Sequence, residues 1–354
     1  MTRAVLTVLR RHFSGAILFT LLCLIGAAAY GWHESGSVEG TLAVLWIVGV
    51  LAVLEVSLSF DNAVVNASVL GDMEPVWRKR FLTWGMVIAV FGARVAFPLA
   101  IVGIGAGLGP VEAVRLSLGN PGEYERIVSA AHIGIAGFGG AFLALVGLNF
   151  FLDAEKEVHW LGWIERRLSN LGGVHAVGVA LVLGVLLLVA RQLPEHDGFV
   201  LLSAGILGII TFVMVEALGH WLESRAAARA VAGAAVRAGL GSFLYLNVLD
   251  TSFSLDGVIG AFALSNNMVV IALGLSIGAI FVRSLTVLLI ERGALSDYRY
   301  LEHGAFWAIV ALGGIMLTGT LVEVPDVLTG LVGAVLIAAS LAWSLRYRRK
   351  FGGE

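Results

Sequence analysis

Ten apolar runs, each near twenty residues, dominate this chain and limit what it can become. They lie at about 14–31, 41–70, 81–105, 130–152, 175–193, 199–219, 240–264, 269–290, 304–321 and 328–346. A helix needs roughly 20 apolar residues to cross the hydrocarbon of a bilayer. Between them the chain is too poor in charge to clothe a water-facing surface: 14% of residues are charged and the mean hydropathy is +0.92, against about 25% charge in soluble domains. The expected fold is therefore all-α, a polytopic transmembrane bundle of about ten spans.

Lysine and arginine set the orientation, because cytoplasmic loops hold the excess. With the N-terminus inside and alternation thereafter, 18 of the 23 basic residues fall on the cytoplasmic side. The outer segments hold only Arg115, Arg126 and Arg191, and Arg94 and Arg283 lie within spans. One missed helix would scramble that asymmetry. It predicts a multi-pass protein with both termini cytoplasmic. The pattern and the lack of a transit peptide favour a cell inner membrane over a thylakoid. The first run, with Arg10-Arg11 before it and Ala27-Ala28-Ala29 after it, also fits a cleavable signal. Its length favours a retained helix.

Other classes are excluded by absence of their residues. The single cysteine, Cys23, rules out a disulfide framework, a multi-cysteine metal site and a dithiol redox cycle. The eight histidines show no HExxH spacing, and the net charge of −2 does not point to nucleic acid. No nucleotide-binding motif supports direct ATP drive.

The chain repeats itself. With a constant offset of 195, Leu51, Val53, Leu54, Ser57, Ser59 and Asp61 are identical to Leu246, Val248, Leu249, Ser252, Ser254 and Asp256, and Glu55 matches Asp250. Phe-Gly-Ala-Arg ending at Arg94 resembles Ile-Phe-Val-Arg ending at Arg283. The two acidic helices are the second and seventh spans, so they run in opposite directions. An inverted repeat is the mark of many secondary transporters, whose sites lie near the midplane at the repeat interface. The domains follow: an extra helix over 1–40, a first half over 41–152, a cytoplasmic loop over 153–174, a second half over 175–290, and C-terminal helices with a basic tail over 291–354.

Four carboxylates within spans, Glu55, Asp61, Asp250 and Asp256, are costly in hydrocarbon and call for a cationic partner. Arg94 and Arg283 balance two of the four charges, and the remainder suits one divalent cation or two protons. Asn62, Asn66 and Asn247 complete an all-oxygen set, which suits hard ions such as Mn²⁺, Mg²⁺ or Ca²⁺. In each repeat the acids are six residues apart, about 240° around an ideal helix and about 9 Å along it. Either the helix breaks between them or they serve two levels. Ser57, Ser59, Ser252 and Ser254 can loosen the helix by bonding backbone carbonyls. The twofold places Glu55 level with Asp256 and Asp61 level with Asp250. The bland alternative is that the acids only salt-bridge the two arginines and lock the bundle. Asn149 is expected to bond a neighbouring helix, and the stretch 220–239 reads as a solvated connector.

The segments Glu55-Val-Ser-Leu-Ser-Phe-Asp-Asn-Ala-Val-Val and Asp250-Thr-Ser-Phe-Ser-Leu-Asp-Gly-Val-Ile-Gly-Ala resemble the TerC family, in the group that includes LysE-type exporters. The resemblance spans roughly 41–290 and reaches Glu55, Asp61, Asn62, Asp250 and Asp256. Gly257 stands where that family commonly has Ser. The resemblance implies metal-ion homeostasis, tellurite resistance and, for several members, manganese export. The expected function is thus a non-enzymatic exporter of a divalent metal, with that ion as substrate rather than bound cofactor, with the lipid bilayer as its surroundings, protons as the coupling ion, and no nucleic acid or soluble partner. A membrane factor that assists insertion or metallation of other proteins is the alternative. An intramembrane aspartyl protease is disfavoured, because neither Asp61 nor Asp256 follows a Gly-x-Gly segment.

Overall fold

The computed structural model describes residues 2–85, 87–154, 156–171, 176–230, 239–262, 264–322 and 324–351. Every regular element among them is helical. In chain order these are α1 (Thr2–Ser35), α2 (Val38–Leu58), α3 (Phe60–Asp72) and α4, a run of helical pieces Pro75–Arg80, Phe81–Gly85, Ile88–Ala96 and Phe97–Ala106. Two short helices follow, α5 (Pro110–Gly119) and α6 (Pro121–Ala130), then α7 (His132–Phe151), α8 (Gly162–Leu171), α9 (Ala176–Ala190) and α10 (Glu195–Ala230). The chain ends with α11 (Leu240–Phe262), α12 (Met268–Glu291), α13 (Ala294–Asp297), α14 (Leu301–Gly319) and α15 (Asp326–Phe351).

The molecule is a polytopic bundle. Among the described residues, eight helices are long and apolar enough to cross a membrane, nine if the bent pair α8 and α9 makes one span. Two of the ten apolar runs fall short of that mark for different reasons. Helix α9 has 15 residues, about 22 Å, less than the ~30 Å hydrocarbon core. Helix α11 has 23 residues but carries Asn247, Asp250, Asp256 and a set of hydroxyls. The expected connector at 220–239 is in its first part the continuation of α10, which runs for 36 residues to Ala230; positions 231–238 lie outside the described residues.

Packing is reciprocal between the repeats. The first acidic segment, α2 and α3, packs on α12, the helix that follows the second acidic segment. The second, α11, packs on α4, the helix that follows the first. Likewise α3 meets α14 while α11 meets α7, and α7 and α14 lie against each other. Exchanging the halves leaves this pattern unchanged, as a twofold relation requires.

Glycines make the close approaches. A Cβ on Gly313 of α14 would lie 2.9 Å from the Gly140 carbonyl oxygen of α7, and one on Gly140 would lie 3.0 Å from that of Gly313. Small residues let backbones meet where lipid offers no hydrophobic drive for association.

Candidate functional site

The site begins with a broken helix. Helix α2 stops at Leu58 and α3 starts at Phe60, with Ser59 between them at φ −102°, ψ 17°. This is the break that six-residue spacing allowed, and it separates Glu55 from Asp61. Helix α12 presses α2 from one side through Gly274 and Gly278. A Cβ on Gly278 would sit 3.0 Å from the Ala52 carbonyl oxygen and nearer still to the methylenes of Glu55. Glu55 is thereby held inside the bundle at 2% exposure.

The Glu55 carboxylate is engaged through one of its oxygens. Its Oε1 accepts from Arg94 Nη2 in a buried ion pair and from Ser59 Oγ at 2.9 Å. Its Oε2 lies 3.2 Å from where a Cβ on Gly257 would stand, so the second acidic helix approaches through a residue with no side chain. Arg94 reaches Glu55 from a π-helical stretch, Ile88–Ala96. Pro98 explains that stretch. Its ring has no N–H to give the carbonyl of Arg94 and clashes with it, and the next N–H back, that of Phe97, donates to Gly92 instead. Widened turns of this kind often mark functional sites.

Asp250 on α11 is held from the other repeat. Asn62 Nδ2 donates to its Oδ1 at 2.6 Å, and Asn66 lines the same cavity. Arg94 stands within electrostatic reach of both Glu55 and Asp250. Asp250, Asn62, Asn66, Arg94 and Arg283 line one small cavity of about 10 Å³, measured by the positions open to a water-sized sphere. Glu55, Ser59, Asp61, Gly257 and Thr329 share a second, of about 20 Å³. A single water needs roughly 10–15 Å³ on this measure. Either cavity has room for one water or a bare ion, and neither has room for an organic substrate.

Gly257, next to Asp256, sits on Glu55, and Asn62, next to Asp61, bonds Asp250. The carboxylates themselves diverge from expectation. Asp61 is buried, accepts the backbone N–H of Asn62 at 2.9 Å, and lies 3.8 Å from where a Cβ on Gly333 of α15 would stand. It opens onto a different cavity from Asp250. The Asp256 side chain lies outside the described residues. Among the described residues no three of His, Cys, Asp and Glu converge as a metal site would need.

The supporting side chains bond mainly to backbone carbonyls. Arg283 donates its Nε to the Leu82 carbonyl at 2.8 Å rather than to an acid. Ser57 is exposed and bonds Val53 O, and it also lines the cavity that holds Glu55 and Asp61. Ser252 and Asn247 bond carbonyls of their own helix, those of Val248 and Phe243. Ser254 Oγ is buried and has no hydrogen-bond partner. Asn149 does bond a neighbouring helix, at Glu216 of α10.

A second buried polar cluster escaped sequence reasoning. Glu165, 1% exposed, accepts the N–H groups of Trp160 (2.7 Å), Leu161 (3.1 Å) and the Trp307 indole (2.9 Å). His303 Nε2 lies 2.8 Å from Val158 O, so that nitrogen carries the proton, and both His303 and His159 stand 3.8 Å from Glu165. Burial pushes the Lys156 ammonium down to about 8, against the pull of Glu302, Asp153 and Glu165. The cluster fastens the loop before α8 to α14, and Glu302 in turn accepts from Ser68 of α3. Glu165 has one sequence signal, its place in the first turn of a helix where a carboxylate can cap.

No curated protein and no solved structure matches this chain. Residues 60–351 match a family described as proteins of unknown function, DUF475. The match begins at the first residue of α3, just past the break at Ser59. It covers most of the chain, which belongs to the DUF475 family.

Proposed function

We propose that this protein is a secondary transporter that carries a hard divalent cation, with Mn²⁺ the first to test, through the carboxylates of the two acidic helices. The observation that carries the reading is a charge deficit. Glu55, Asp61 and Asp250 are 2%, 5% and 7% exposed, and one buried arginine, Arg94 at 2%, stands among them. Buried acids at bilayer depth need cations or protons. Two cavities of single-ion size lie beside these acids, one against Glu55 and Asp61 and one against Asp250 with Arg94 and Arg283, and both carry oxygen ligands, the type that hard ions prefer. In this state the Glu55–Arg94 pair occupies what would be one ligand. Cation entry would compete with Arg94, and protonation of the same acids would release the ion, coupling export to inward H⁺ movement. The basic-residue pattern puts both termini in the cytoplasm of an inner-membrane protein.

Ion flux in proteoliposomes tests this directly. Wild-type protein should move Mn²⁺ down an imposed gradient and respond to an opposing pH gradient. Asp61→Asn and Asp250→Asn should each cut the rate at least tenfold while the protein remains folded and reconstituted. Flux undiminished in both variants would sink the site assignment, and flux absent from wild type would leave a non-transporting membrane factor.

A further inference from the structure

A long apolar groove opens on the outer face of the bundle, between α15 and the α2–α3 junction. It measures about 670 Å³ and is walled by residues such as Leu58, Phe60, Leu301, Leu331, Ala338 and Leu341. Its polar lining is confined to the two ends. At the inner end stands Ser57, whose hydroxyl is already bonded to Val53 O. At the outer end stands Tyr298, a residue type that settles at membrane–water interfaces.

The groove's dimensions match one leaflet. It follows α15 from Gly330 to Leu341, eleven residues and so about 16 Å at 1.5 Å each. That is half of the ~30 Å hydrocarbon core. The inner end is closed, because Gly330 packs on Leu58, whose Cδ2 would lie 2.9 Å from a Cβ there. Basic residues follow the lining residues of the outer end in sequence. Exposed Arg292 comes three residues after Leu289, exposed Arg299 directly after Tyr298 and exposed Arg346 five after Leu341, and Arg299 stacks on Tyr347 at 5.0 Å. Glu291 and Asp297 share that end, with Glu291 facing His12 at 3.8 Å. Arg348, Arg349 and Lys350 in the last turn of α15 tip the balance to positive.

We infer that this groove holds one acyl chain of an anionic phospholipid, with its headgroup on Arg292 and Arg299. A blind apolar slot of one-leaflet length that ends in cations is complementary to such a lipid at both ends. A water-soluble ligand would find no hydrogen bonds in the slot. The bound chain would also brace the helix break, since Ser57, Leu58, Gly330 and Ala334 wall both the groove and the cavity of Asp61. The inference is independent of the cargo.

The test is native mass spectrometry of the full chain in mild detergent, titrated with dioleoyl phosphatidylglycerol or dioleoyl phosphatidylcholine. Wild type should retain one phosphatidylglycerol about tenfold or more tighter than phosphatidylcholine, as expected for two surface arginines near a headgroup. Ala338→Trp, which fills the groove from an exposed position, should lose that lipid and melt no lower than wild type in lipid-free detergent. Arg292→Gln with Arg299→Gln, a surface change that leaves the core alone, should bring phosphatidylglycerol down to the phosphatidylcholine level. Undiminished lipid retention in Ala338→Trp, or equal binding of the two lipids by wild type, overturns the proposal. So does a wild-type dimer that Ala338→Trp dissociates, because the occupant would then be a second copy.

Discussion

The two acidic segments carry one motif and solve it differently. The first breaks at Ser59, and the second runs unbroken through Ser254. At the offset of 195, Glu55 corresponds to Asp250, Ser59 to Ser254 and Asn62 to Gly257. Glu55 is one methylene longer than its counterpart and reaches Ser59 four residues on. Asp250 instead takes the amide of Asn62 from the other repeat, and Ser254 is left without a partner. The reciprocal contact is preserved in outline: Gly257 meets Glu55 where Asn62 meets Asp250. Gly257 has no amide to offer, and Arg94 supplies the charge that Glu55 needs. The lesson is that a repeat can keep its symmetry of position while two side-chain differences distribute cations and hydrogen bonds unequally. Pro98 adds to the difference by widening the turns that present Arg94, and Val287 occupies the matching place after Arg283.

The largest expected effect breaks this comparison at its arginines. Arg94→Gln strands a buried Glu55 carboxylate, and losing one partner of a buried pair costs about 3–5 kcal/mol. Arg283→Gln removes a bond to one carbonyl from a half-buried side chain and should cost less than about 2 kcal/mol. Unfolding in detergent micelles measures both. Equal losses would mean that the two arginines play equivalent parts after all.

Next comes the amide that one repeat has and the other lacks. Asn62→Ala removes the hydrogen bond to the Asp250 carboxylate, worth about 1.5–3 kcal/mol for a charged acceptor. Its effect should fall sharply in an Asp250→Asn background, because the two residues act through one bond. Full additivity in that double-mutant cycle would show that Asn62 matters for some other contact.

How much of this could be seen beforehand depends on the kind of signal. The spans, the repeat and the burial of Glu55, Asp61 and Asp250 follow from hydropathy and motif, because acids cost too much in lipid to face it. Helix geometry allowed a break between Glu55 and Asp61 but did not require one, since the same spacing in the second repeat lies on an unbroken helix. What stayed hidden was side-chain direction. Nothing in the spacing shows that Asp61 turns toward Gly333 while Asp250 turns toward Asn62, since a broken helix erases the 100° rule that would have fixed Asp61. Arg283 looked like a second Arg94, but the carbonyl of Leu82 lies across a helix interface that no periodicity reveals. The Glu165–His303 cluster joins residues 138 apart through a loop, and only the assembled bundle brings them together.

The smallest expected effect sharpens the comparison most, because it isolates a single hydroxyl at equivalent positions. Ser59 Oγ donates to the Glu55 Oε1 that Arg94 also holds, so Ser59→Ala should cost about 1 kcal/mol. Ser254 Oγ is 3% exposed by residue and bonds nothing. Removing an unsatisfied buried hydroxyl relieves its desolvation penalty, so Ser254→Ala should be neutral or slightly stabilising. A further substitution turns one repeat into the other: Asp250→Glu lengthens the acid by the methylene that lets Glu55 reach Ser59. If side-chain length causes the difference, Ser254→Ala becomes costly in the Asp250→Glu protein, by about 1 kcal/mol or more, while Asn62→Ala becomes cheaper there. Melting curves of the four proteins in each cycle decide it. Should Ser254→Ala remain neutral beside Glu at 250, the cause lies in the backbone break at Ser59 and not in the length of the acid.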